Sequence, residues 1–128
     1  MKKKLMISTA VIVVALCVLW FFSTATARAD VYIEKFDFDK KCNTITLKVG
    51  VSSSVGYVRN YKLEQKENGK YITFYSTFGG INSKLGAKDT FEISLDNSDT
   101  EIYFYNGNDT YIKVLEKTQS GKWEKQPF

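Results

Sequence analysis

This chain carries eight tyrosines and no histidine. The missing histidine removes the commonest general base and the commonest metal ligand together. The tyrosines all fall within residues 30–128 and recur with a strand's two-residue spacing. On Glu101 to Asn106, Tyr103 and Tyr105 share one side while Ile102 and Phe104 share the other. On an earlier run Tyr71, Thr73 and Tyr75 share a side. If those sides meet on one sheet, Tyr71, Tyr75, Tyr103 and Tyr105 form an aromatic platform. Each ring would offer an apolar body and a polar tip to a protein or glycan. The same pattern also reads as cross-strand packing that stabilises the sheet.

The second candidate is the glycine-containing loop 79–88, whose amides could hold an anion together with Lys84 and Lys88. The alternative is a plain crossover with Ile81 and Leu85 as core plugs. The third is a pair of acidic turns, Asp37 with Asp39 and Asn43, and Asp96 with Ser98, Asp99 and Glu101. Such oxygens can hold calcium, but Asp37-x-Asp39 lacks the glycine and distal glutamate of an EF-hand loop. They are also ordinary turn residues, bonding their own backbone. We expect no bound metal and no cofactor. The carboxylates could serve a small hydrolase only if they converged in a cleft, and their turn positions oppose that. The expectation is therefore a non-enzyme.

The elements that must position these residues read as strands. Thr44 to Val51 alternates, with Ile45, Leu47, Val49 and Val51 on one face. Val31 to Phe38, Tyr57 to Lys66, Tyr71 to Phe78, Thr90 to Leu95, Glu101 to Asn106 and Thr110 to Lys117 are the other extended runs. Asn68-Gly69 is a strong hairpin signal, since both central residues of that turn need positive φ. Pro127 is the sole proline, so none opposes a strand. About seven short strands predict an all-β fold, an immunoglobulin-like antiparallel sandwich, with a small β-barrel as the alternative.

Residues 1–29 differ in kind. Lys2, Lys3 and Lys4 precede the apolar run Leu5–Phe22, and the segment has no acid. Ala27 and Ala29 have the A-x-A spacing of a signal-peptidase site, which would start the mature chain at Asp30. Counted from Leu5 the run makes about 27 Å of helix, nearly a membrane span. So 1–29 reads as a signal peptide or signal anchor, and 30–128 as an extracytoplasmic domain. Cleavage leaves it secreted; retention makes a single-pass membrane protein held by residues 5–22, its domain outside. The 18 basic and 14 acidic residues give the chain +4, all of it from the leader. The neutral remainder has no surplus for a nucleic-acid surface. Cys42 is the lone cysteine there, so no internal disulfide is available.

The blocks YITFYSTFGG (71–80), LGAKDTF (85–91) and EIYFYNG (101–107) resemble a small uncharacterised extracytoplasmic domain family of low-GC Gram-positive bacteria. The resemblance implies an exported β-sandwich and carries over no site residue. The functional expectation is an exported interaction module binding a protein or cell-envelope glycan through a sheet face or the loop. The alternatives are a membrane-tethered structural or sensory ectodomain and a carboxylate-dependent hydrolase.

Overall fold

The computed structural model describes residues 2–23, 26–53, 56–79 and 83–127, with backbone only at 22 and 23. Helix α1 (Lys2–Ser23) is apolar all round, with Leu5, Val11, Leu16, Leu19 and Trp20 all exposed. A helix of that kind suits lipid rather than the surface of a soluble domain. Its stretch Lys2–Phe21 is long and apolar enough to cross a membrane.

Among the described residues nine strands follow: β1 (Ala27–Arg28), β2 (Val31–Asp39), β3 (Thr44–Val51), β4 (Val58–Lys66), β5 (Gly69–Ser76), β6 (Thr90–Ser94), β7 (Glu101–Tyr105), β8 (Tyr111–Lys117) and β9 (Trp123–Lys125). The all-β expectation holds. The two strands beyond those expected, β1 and β9, have only two and three residues, too few for a periodic signal.

The strands form two sheets. The smaller has the order β2-β3-β6. The larger runs β5-β7-β8-β9, with β4 along one edge of β5 and β1 also paired to β5. Partners Gly69–Ile72 of β5 go to β7, while Phe74 and Tyr75 go to β1. β1 and β7 thus share one edge of β5 end to end. That pairing carries the sheet upstream of the 29/30 boundary expected from sequence. Two backbone and hydroxyl bonds between Thr26 and Ser76 extend it further.

β5 and β7 run parallel, where antiparallel pairing was expected. The cause is the path of the chain. It leaves the larger sheet after β5, crosses to the smaller one as β6, and returns as β7 after two reversals.

Alternation supplies the core. Ile45, Leu47 and Val49 on β3, Phe91 and Ile93 on β6, Ile72 and Phe74 on β5, and Ile102 and Phe104 on β7 belong to one buried cluster. Each such side chain contributes about 1.5–3 kcal/mol of burial free energy. Both cysteines are free, so this core holds the domain without a cross-link. At the far end from α1, Lys70 and Asp99 pair at 3.2 Å with side chains 8% and 0% exposed. Gln65 donates to the other Asp99 oxygen at 2.7 Å, and the Asp96 amide donates to Asp99 at 2.7 Å. The turn before β7 is thereby locked to β5.

Candidate functional site

On β5 the even residues Ile72 and Phe74 point into the core, which leaves Gly69, Tyr71, Thr73 and Tyr75 on the outer side. On β7, Ile102 and Phe104 go in, and Glu101, Tyr103 and Tyr105 go out. The parallel register sets Tyr71 beside Tyr103. Across the next pair, Tyr103 faces Lys113 and Tyr105 faces Tyr111.

These side chains make one continuous surface. The Tyr71 and Tyr103 rings stack with centroids 4.4 Å apart and planes 12° off parallel. Tyr111 meets Tyr71 edge-on at 5.1 Å and Tyr105 edge-on at 5.8 Å. The Tyr111 and Thr73 hydroxyls are 3.3 Å apart. The Lys66 ammonium lies 4.9 Å from the Tyr71 ring centre and 5.4 Å from that of Tyr111. All four rings are half-buried.

A charged row borders the rings. The Tyr103 hydroxyl donates to Glu101 at 2.7 Å, and Lys113 pairs with Glu101 at 3.1 Å and with Glu116 at 3.5 Å. The Tyr103 hydrogen bond, then that of Lys113, holds the Glu101 carboxyl below its usual range. The bond to Glu101 pushes the Tyr103 hydroxyl well above the tyrosine range, with burial adding to it. The same carboxylate raises the Lys113 ammonium.

Three of the four expected tyrosines, Tyr71, Tyr103 and Tyr105, come together. Tyr75 lies on the same face but at the α1 end, opposite Ala27 and Asn60. Among the described residues it makes no ring contact with the other three. Tyr111 was the residue missed. Counting across the Asn106–Thr110 turn would have found it, because that turn puts Tyr111 opposite Tyr105.

Asn68-Gly69 also plays a different part. Lys66 pairs with Gly69, so the central turn residues are Glu67 and Asn68, with positive φ at Glu67. Gly69 instead opens β5 beneath the tyrosines. A Cβ there would come within 3.3 Å of both the Tyr103 and Tyr71 rings.

In the loop, residues 80–82, including Ile81, lie outside the described residues. Leu85 is 56% exposed, so it is not a core plug. Gly79 and Gly86, which do have positive φ, kink the loop and leave Leu85 outside. Lys84 and Lys88 do not converge on one point. Their ammonium groups lie over different rings, Tyr57 at 5.6 Å and Phe91 at 5.3 Å. The Leu85, Ala87 and Lys88 amides donate to Ser83 Oγ, Lys84 and Val58, which leaves them unavailable to an anion.

The acidic turns close on themselves. Asp39 accepts from the Lys41 and Cys42 amides, and the Asn43 side chain donates to the Leu95 carbonyl. Asp99 is held by Lys70. Among the described residues no cluster of three or more acidic, cysteine or histidine side chains is placed to hold a metal. An open groove of about 620 Å³ beside β3 and β4 has two carboxylates on its walls, Glu34 and Asp89. Hydrogen bonds from Arg28 and Tyr103 hold the Asp30 and Glu101 carboxyls below the usual range, opposite to what a general acid needs.

The two alanines of the expected cleavage site are both exposed, and the first is held in a strand. Ala27 is in β1 opposite Tyr75, and the Ala29 methyl carbon is 3.7 Å from where a Cβ on Gly107 would be. Between them Arg28 makes a two-point pair to Asp30 at 2.8 and 2.9 Å. No protein-family model, curated protein or solved structure matches this chain.

Proposed function

We propose that this chain is a membrane-tethered extracytoplasmic interaction module. It binds a protein or cell-envelope component through the outer face of its larger sheet. The observation that carries this reading is the unbroken cluster Tyr71, Tyr103, Tyr105 and Tyr111, half-exposed and edged by Lys66 and Lys113. Tyrosine contributes much contact area at low conformational cost, which suits a binding surface.

Ring orientation favours a protein over a glycan. Sugar stacking needs a free ring face, and the Tyr71 ring has Tyr103 stacked on it and the Lys66 ammonium 4.9 Å from its centre.

The tether is favoured over a cleaved leader by the residues that cleavage would remove. Thr26, Ala27 and Arg28 add backbone pairing and an ion pair to the folded unit. The separate edges of the two sheets support the immunoglobulin-like sandwich over a closed barrel. The three resembling blocks, 71–80, 85–91 and 101–107, include most of β5, the start of β6 and all of β7.

The test is binding of the tagged full chain to envelope fractions, before and after protease treatment of the fractions. Binding weakened by Tyr105→Ser and by Tyr111→Ser supports the face, and its loss on protease treatment assigns a protein partner. Binding that neither substitution alters contradicts it.

A further inference from the structure

We infer that the loop Ser83–Lys88 rests on the surface of the membrane that α1 spans, with Leu85 in the headgroup region between Lys84 and Lys88. This rests on the tether proposed above. The end of α1 fixes the level of the interface. Trp20, 60% exposed, lies beside Phe21 at that end, and the amphipathic ring of a tryptophan settles at the headgroup boundary.

From there a run of contacts leads to the loop. The Phe21 ring stacks on that of Phe78 at 5.4 Å, and a Cβ on Gly79 would lie 3.7 Å from Phe21. The Arg59 guanidinium carbon sits 4.1 Å from the Phe78 ring centre. A Cβ on Gly86 would meet the Arg59 stem at 3.3 Å. Thus Gly86, beside Leu85, is joined to the membrane end of α1 through two side chains. The Lys88 amide bonds Val58, which ties the loop's other end to the start of β4.

The chemistry of the loop matches a lipid surface. Leu85, 56% exposed, is more open than any other large apolar side chain of the described domain. Arg59, Lys84 and Lys88 have no carboxylate partner among the described residues, and each lies over a ring. Within 83–90 two lysines stand against one acid, Asp89. Apolar insertion flanked by lysines, with the stems in the interface and the heads at phosphate, is how shallow membrane contacts form.

The test uses the full chain with Cys17→Ser and Cys42→Ser, reconstituted in nanodiscs of phosphatidylcholine and phosphatidylglycerol. Single nitroxide labels are placed by Leu85→Cys, by Ser120→Cys at the opposite end, and by Val14→Cys within α1. The inference expects the label at 85 to be several-fold less accessible to a water-soluble nickel chelate, and more accessible to oxygen, than the label at 120. Equal nickel access at 85 and 120, with 14 embedded in lipid, overturns the loop contact and leaves the tether standing. Nickel access at 14 overturns the tether itself.

Discussion

Tyr71 and Tyr103 stack 4.4 Å apart across the parallel pair of β5 and β7, and Gly69 is the residue that leaves them room. The stack is a product of chain path and register together. The chain returns from the smaller sheet alongside β5, and the register then places one outward tyrosine against another.

Glycine inside a strand is ordinarily worse than alanine. At Gly69 the sign should reverse, because the added Cβ meets both rings at 3.3 Å and φ there needs no glycine. We expect Gly69→Ala to lower stability by about 1 kcal/mol or more in urea unfolding. It should also weaken the near-ultraviolet circular dichroism of the tyrosines. A gain in stability would contradict the packing described.

The Lys70–Asp99 pair should behave as a buried one. Lys70→Met leaves the enclosed Asp99 carboxylate without its cation, at a cost of about 3 kcal/mol, whereas Asp99→Ala should cost less because Lys70 also pairs with Asp96 at 3.2 Å. Moderate salt should leave the wild-type pair almost unchanged, since neither side chain of the pair is open to solvent. A loss below about 1 kcal/mol would match an exposed pair instead.

Stability should fall at both ends of the pH scale. Asp30 is held down first by its hydrogen bonds from Arg28, and Glu101 first by that from Tyr103. Their stabilisation is present above the ordinary carboxylate pKa and is lost as pH falls through the lowered folded values. Lys113 and Tyr103 are raised, so their contributions hold below their ordinary values and are lost as pH climbs from those through the raised folded values. Thermal unfolding against pH should lose part of its acid limb in Glu101→Gln. In a tyrosinate absorbance titration of the folded protein, Tyr103→Phe should remove a step displaced above the ordinary tyrosine range.

Residues 26–28 should matter to a domain expected to begin at 30. A chain starting at Thr26 should exceed one starting at Asp30 by about 1–3 kcal/mol, since the charged hydrogen bonds of Arg28 are lost in the second. Equal unfolding midpoints would make β1 incidental and restore the case for cleavage after Ala29.

Much of this was legible in the residues. Strict alternation in Thr44–Val51 and Thr90–Leu95 gave β3 and β6 nearly to the residue, because one face of each meets the core. The outward tyrosines of β5 and β7 were assigned to the correct face for the same reason. Adjacency was not legible. That β5 lies next to β7 depends on the crossover through β6, which no local pattern encodes. Asn68-Gly69 misled by one residue, because its glycine serves close packing under Tyr71 and Tyr103 while Glu67 takes the positive φ. Leu85 read as a core plug because hydrophobicity alone does not tell a buried position from an exposed one.

Site-resolved photo-cross-linking on intact cells tests the binding face most directly. A photo-reactive residue in place of Tyr105 or Lys113 should capture a discrete partner, and one in place of Lys35 or Glu92 on the smaller sheet should not. Capture from the smaller sheet alone, or equally from both, would contradict the assignment of the tyrosine face.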